Sequence, residues 1–272
     1  MKTQPERAIA FVDLHRGPGA FVLPNPWDAG SARLLAGLGF EALATTSSGF
    51  AHTLGRSDGE VSREEALEHC RILAHATDLP VSADLENGFA DQPEQAAETY
   101  LLAAEAGVVG GSIEDFTGNP KDPIYDFTLA VERVQAAVEA VRNLPFPFTL
   151  TARAENFLHG RRDLDDTLRR LEAYEAAGAD VLYAPGLTTL EEVRLITGSL
   201  AKPVNVLAPL IRGATVDDLA AAGAKRLSTG GALARATVAP LLAASREMLE
   251  EGAFSWVGGA TPGDEMRRLL GS

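Results

Sequence analysis

The chain has 272 residues, 46% of them hydrophobic, a formal net charge of −14 and a pI near 4.8. That length suits one large core rather than two, and the acidic balance repels polyanions, which argues against nucleic acid or an anionic membrane as partner. Cys70 is the single cysteine, so an intrachain disulfide and a cysteine-built zinc site are both excluded.

Residues 1–7 show no apolar leader, and no run approaches the ~18 apolar residues of a membrane span. A cytoplasmic protein that handles small metabolites is the expectation. Residues 6–16 place Ala8, Phe11, Val12 and Leu14 on one helical side, and Gly17-Pro18-Gly19 stops them. A short apolar run from Phe21 then ends at Pro24-Asn25-Pro26, and an Ala/Leu-rich helix over 29–38 follows. That unit recurs. Apolar runs lie near 42–46, 80–84, 111–114, 148–153, 181–184, 204–208 and 226–229. Amphipathic helical patterns cover 63–75, 93–106, 129–141, 164–177, 190–200, 216–222 and 232–249. Eight strands, each followed by a helix and without a GxGxxG fingerprint, predict an α/β fold of the (β/α)8 barrel type in preference to an open doubly wound sheet. Gly39, Gly107, Gly178 and Gly223 stand where left-handed helix caps are needed. Residues 1–272 read as one barrel domain. Residues 255–272 read as a C-terminal extension, an apolar hook and a short helix, packed on the barrel or on a neighbouring subunit.

Barrel enzymes work at the C-terminal rim of their strands. Val81-Ser82-Ala83-Asp84-Leu85-Glu86 delivers two acids that share a face if the strand stays extended. Gly111-Ser112-Ile113-Glu114-Asp115 repeats the design one strand on, and Arg153 faces both. Converging carboxylates favour a cation, and oxygen donors without His or Cys suit Mg2+ or Mn2+. Asn205 is a further rim residue that could meet a ligand or tie down a loop. Cys70 and the histidines have no motif spacing, and the loop at 118–126 has the composition of either a mobile lid or an ordered rim loop.

Thr46-Ser47-Ser48-Gly49-Phe50, Leu54-Gly55-Arg56-Ser57-Asp58-Gly59, Asp84-Leu85-Glu86-Asn87-Gly88-Phe89, Ser112-Ile113-Glu114-Asp115 and Thr151-Ala152-Arg153-Ala154-Glu155 stand in the order of the isocitrate lyase/phosphoenolpyruvate mutase superfamily, which the chain resembles from about residue 25 to 249. The resemblance implies a Mg2+-dependent barrel acting on a 2-oxo acid or a dicarboxylate. The C–C or P–C bond beside the carbonyl is made or broken, and a metal-stabilised enolate is left. It further implies a homo-oligomer, dimer or tetramer, with the eighth helix exchanged between subunits. Carried over by position, Asp84 is the direct metal ligand, and Asp58, Glu86 and Glu114 hold metal-bound waters. Ser48, Gly49 and Phe50 offer backbone N–H groups to the substrate carboxylate, and Arg153 pairs with the substrate. Arg153, Asp58 and Glu114 are the expected catalytic groups, and Asp84 and Asn205 also touch substrate. One departure is plain. The loop Phe116-Thr117-Gly118-Asn119-Pro120-Lys121-Asp122-Pro123-Ile124-Tyr125-Asp126 lacks the cysteine and histidine of isocitrate and methylisocitrate lyases, although Asn119 and Lys121 loosely echo the mutase and phosphonopyruvate hydrolase loops. A lyase or decarboxylase acting on a C–C bond is the leading expectation. P–C chemistry is the alternative, and a non-catalytic 2-oxo acid binding protein is the reading from another class.

Overall fold

The computed structural model describes residues 2–271. The helix α1 (Gln4–Arg16) precedes the repeating units β1 (Phe21–Leu23), α2 (Ala29–Gly37), β2 (Leu43–Ala44), α3 (Ser47–Thr53), α4 (Arg63–Ala76), β3 (Val81–Asp84), α5 (Pro93–Glu105), β4 (Gly110–Glu114) and α6 (Phe127–Arg142). The second half continues with β5 (Thr149–Arg153), α7 (Leu164–Ala176), β6 (Val181–Tyr183), α8 (Leu190–Ser199), β7 (Val204–Leu207), α9 (Val216–Ala221), β8 (Arg226–Ser228), α10 (Ala232–Glu250) and α11 (Gly263–Leu270). The strands pair in parallel in the order β1-β8-β7-β6-β5-β4-β3-β2. This is the (β/α)8 barrel expected. The seam between β1 and β2 has no ladder and is bridged by the Ala44 N–H donating to the Pro24 carbonyl at 3.0 Å. Asn25 reinforces it, since its Nδ2 donates to Thr45 O at 2.7 Å while its Oδ1 accepts the Thr229 and Gly230 N–H groups at 2.9 Å each.

Local signals account for the element ends. Ser62 with Glu65 and Thr189 with Glu192 form reciprocal capping boxes on α4 and α8. The four cap glycines have φ between 90° and 102°, in the left-handed region that side-chain-bearing residues avoid. The main core lies between the outer faces of the strands and the helices, with Leu73, Leu85, Tyr100, Leu150, Leu171 and Tyr174 wholly buried in it. A second cluster, with Phe11 of α1 against Leu23, Ala44 and Val109, plugs the N-terminal end of the barrel. That leaves the C-terminal end open.

Two features depart from the usual pattern. A short helix, α3, follows β2 directly and precedes α4, and Thr46 caps it by accepting the Gly49 N–H at 3.3 Å. The eighth helix, α10, buries only Ala234, and Leu241, Leu242 and Leu249 are 65%, 45% and 86% exposed. The C-terminal α11 lies on α2, with Leu269 buried. Gly37 permits that approach, because a Cβ there would stand 2.3 Å from the Leu269 carbonyl oxygen.

Candidate active site

The inward-facing residues of TIM barrels are usually bulky and apolar. Here the register aligns Ser82 with Gly110, Gly110 with Thr149, Ser112 with Thr151 and Asn205 with Arg226, so the interior is small or polar on most strands. A cavity of about 180 Å³ results, walled by Thr46, Ser48, Asp84, Arg153, Asn205 and Arg226 among others. A second cleft of about 530 Å³ opens beside it, bordered by Asp58, Glu86, Glu114 and Phe116. Asp58 borders both hollows.

Arg153 is the hub. Its Nη1 donates to Asp84 Oδ1 at 2.8 Å, its Nε to Glu155 Oε1 at 2.7 Å, and its Nη2 lies 3.1 Å from Glu114 Oε2. The Tyr183 ring centroid is 5.2 Å from the guanidinium carbon. Three carboxylates around one buried fork hold it in a single orientation. Asp84 is fixed in turn by the Ser47 N–H at 3.2 Å to Oδ2, while its own N–H donates to Thr45 Oγ1 at 2.7 Å.

Carboxylate charge exceeds what the arginine offsets. Desolvation, then repulsion from Asp84 and Asp58, pushes Glu86 up to about 7. Burial raises Glu114 well above the usual range against the opposing pull of Arg153, and burial likewise moves Glu155 to about 7. Asp58, whose side chain still reaches solvent on its loop, is raised by desolvation and by Asp84. Among the described residues, however, no three His, Cys, Asp or Glu side chains converge as a direct metal cage.

β3 ends at Asp84, and Glu86 sits beyond it at φ 49°, with Phe89 at φ 57°, so strand periodicity does not extend to Glu86. Asp84 and Glu86 nevertheless border one small hollow together, Glu86 also borders the cleft, and the Glu86 carbonyl accepts the Glu114 N–H at 3.1 Å. The Ser48-Gly49-Phe50 segment is also only partly available. The Gly49 N–H goes to Thr46 Oγ1, and the Phe50 N–H to the Thr46 carbonyl at 3.0 Å, because both lie in the first turn of α3. The Phe50 ring stacks on His69 at 3.9 Å, outside the cavity wall. Among the described residues no protein acceptor lies opposite the Ser48 N–H. Asn205 holds Arg226 and Ser228 through bonds of 2.8 and 2.9 Å while bordering the cavity.

Asp115, read from the sequence with the rim acids, faces the outer helix α7 instead. It accepts from Tyr174 Oη at 2.7 Å, from Arg170 Nη1 at 3.2 Å and from the Glu155 N–H at 2.8 Å, which ties the ends of β4 and β5 together. Cys70 is buried in packing and raised to about 12 by desolvation. His69 bonds the Trp27 carbonyl, whereas His159 stacks on Phe116 at 3.8 Å with Glu155 Oε2 at 3.7 Å from its Nε2. The 116–126 loop is ordered, with Phe116 bridged to Ile124 and the Thr117 N–H on the Pro123 carbonyl at 2.9 Å. The residue that sequence reasoning missed is Arg226, and its signal was an arginine at the first position of the eighth strand.

The sequence model of phosphoenolpyruvate phosphomutase matches residues 11–249. The chain belongs to this family. Its place in the wider isocitrate lyase/phosphoenolpyruvate mutase superfamily follows from the same match and from the solved structures it resembles. A candidate lyase/mutase of Burkholderia cenocepacia J2315 is 56% identical, with a TM-score of 0.96 over 99% of this chain and 97% of that one. A candidate phosphonomutase of the same strain is 34% identical, with a TM-score of 0.81 over 92% and 100% of the two chains. A 2-methylisocitrate lyase of Halalkalibacterium halodurans is 28% identical over 75% of this chain and 68% of that protein. Among the described residues, no helix of this family member is long and apolar enough to cross a membrane.

Proposed function

We propose that the protein is a Mg2+- or Mn2+-dependent enzyme that takes a small 2-oxo acid or its dicarboxylic precursor and breaks or forms the C–C bond beside the oxo-carboxylate. The observation that carries the reading is the excess of carboxylates around Arg153 at the mouth of a small polar cavity. This donor set fits a hard cation. Oxygen donors alone are present, and the absence of a three-acid cage among the described residues suits a metal with one direct carboxylate and several waters. Asp84 would hold it directly, and Asp58, Glu86 and Glu114 through water. When bound, the cation supplies Lewis-acid stabilisation of the negative charge that develops at the substrate carbonyl.

The chain's own residues do the rest. Arg153, immobilised by three carboxylates, presents its charge to the substrate without reorganisation. The Ser48 N–H, at the start of α3, is the donor left for the substrate carboxylate. Leu158 and Leu207 give the cavity wall an apolar stretch.

P–C chemistry is the second reading, favoured by the 34% identity to a candidate phosphonomutase. Against it, Asn119 and Lys121 are exposed and border neither the cavity nor the cleft. The exposed apolar stripe of α10 is the face a second copy of the chain would cover, and it supports a homo-oligomer.

The test is a panel of oxaloacetate, malate-type and citrate-type acids assayed for pyruvate and CO2, and phosphonopyruvate assayed for phosphate, each with and without EDTA. EDTA-sensitive turnover of a carbon acid is expected. Phosphate release alone selects the P–C reading, and 2-oxo acid binding without any turnover selects a binding protein. Asp84→Ala should abolish Mg2+-dependent 2-oxo acid binding in calorimetry while the circular dichroism spectrum is kept, and unchanged affinity would refute the site.

A further inference from the structure

The chain has four tyrosines, and three of them give their hydroxyl proton to a protein acceptor. Tyr100 donates to the Ser112 carbonyl at 3.0 Å, Tyr125 to Asp91 Oδ1, and Tyr174 to Asp115 Oδ2 at 2.7 Å. Tyr183 is the exception, and it is also the one that borders the cavity. It ends β6, in register with Arg153 on β5 and Asn205 on β7, and 8% of its surface stays exposed. Its oxygen is not one of the polar atoms sealed in the interior without a partner. Ser228 Oγ already accepts from Asn205 Nδ2 at 2.9 Å, so its own proton is turned to the phenol oxygen, and the Tyr183 O–H is left for the cavity. The Arg153 guanidinium carbon stands 5.2 Å from the centre of the ring. Burial pushes the phenol up to about 12 against the pull of Arg153, so the proton is in place at neutral pH.

We propose that Tyr183 is a catalytic residue, the acid that protonates the enolate carbon left when the C–C bond of the substrate breaks. The inference rests on the proposed 2-oxo acid chemistry between Asp84 and Arg153, and it supplies the proton donor that the 116–126 loop, without a cysteine or histidine, does not. The breaking bond leaves its electron pair on the fragment that carries the oxo-carboxylate. The enolate carbon then takes the phenol proton, a C–H bond forms as the O–H bond breaks, and solvent returns a proton to the tyrosinate. Arg153 and the Ser228 hydroxyl meet the charge that appears on the phenol oxygen, one as a cation beside the ring and the other as a donor. The aliphatic hydroxyls on the same wall, Thr46 and Ser48 among them, are far weaker acids than a phenol. A ring that only packs against Arg153 is the competing explanation, and it predicts no need for the oxygen.

Tyr183→Phe keeps the ring on Arg153 and removes the oxygen alone, which separates the two. In saturating Mg2+, kcat is measured on the carbon acid of the panel that the wild-type protein turns over fastest, and the affinity for pyruvate, a product-like ligand, by titration calorimetry. Y183F should lower kcat by about 100- to 10,000-fold, the range of one general acid, and leave the pyruvate Kd within about threefold. Should Y183F fail to fold, Ser228→Ala keeps the phenol and removes the donor that meets its charge. A kcat loss of about tenfold or more at unchanged pyruvate affinity is then expected. Turnover within about threefold of wild type in the folded variant, or a fall in kcat matched by an equal loss of pyruvate affinity, would overturn the inference and leave the proposed chemistry standing. No turnover of any of the acids by the wild-type protein would overturn both.

Discussion

Replacing Arg153 with methionine removes the guanidinium that pairs with Asp84, Glu114 and Glu155 at 2.8, 3.1 and 2.7 Å. Their side chains are 20%, 10% and 2% exposed, so the charges left behind are largely shielded from water. Breaking a buried pair by deleting one partner costs about 3–5 kcal/mol, and a loss of that size is expected at pH 7.5 in metal-free buffer. The carboxylates can escape part of it by taking protons. Burial already raises Glu155 from 4.5 to about 7 against the pull of Arg153, so the native state holds extra proton between those values. The stability linked to that proton is fully present below pH 4.5 and is lost as pH rises through 7. Without Arg153 the upper edge moves higher still. The wild-type carboxyl already holds its proton below pH 7, so the further proton the variant keeps across pH 7.5 to 5.5 is worth about 0.8 kcal/mol. R153M should therefore lose about 1 kcal/mol less stability at pH 5.5 than at 7.5. Urea unfolding of both proteins at the two pH values measures this. A loss below about 1 kcal/mol at pH 7.5, or the same loss at both, would show that the arginine is not what balances the rim.

Tyr174→Phe deletes the 2.7 Å bond to buried Asp115 without changing shape, and about 1.5–3 kcal/mol of stability should go with it. Chemical denaturation reads the loss, and an Asp115→Asn background that leaves the value unchanged would refute the pairing. Gly37→Ala puts a Cβ 2.3 Å from the Leu269 carbonyl oxygen and should lift α11 from α2. Faster proteolysis of the C-terminal segment, with a cost of about 1–3 kcal/mol, is expected. Leu241→Glu with Leu249→Glu charges the exposed stripe of α10 and should lower the mass seen by light scattering. An unchanged oligomer would mean that this face is not its interface.

The barrel itself was legible in the chain order, because eight apolar runs, helical periodicity between them and glycines at the helix ends are each local consequences of backbone geometry. Asp84, Glu114 and Arg153 could also be placed on the rim, since a residue at the end of a barrel strand has one direction to face. What escaped were properties that arise between elements. The strand rule failed at Glu86 because a positive-φ turn intervenes, and Asp115 joined Tyr174 and Arg170 from a helix some sixty residues away. The N–H groups of Gly49 and Phe50 were lost to a short helix that Thr46 caps. Arg226 is the sharpest case. Its strand assignment is readable from its neighbours, but only closure of the barrel sets it against Thr151 and Asn205. Sequence order carries the local geometry that makes a barrel, whereas the balance of charge inside it is decided by which strands the closed sheet brings face to face.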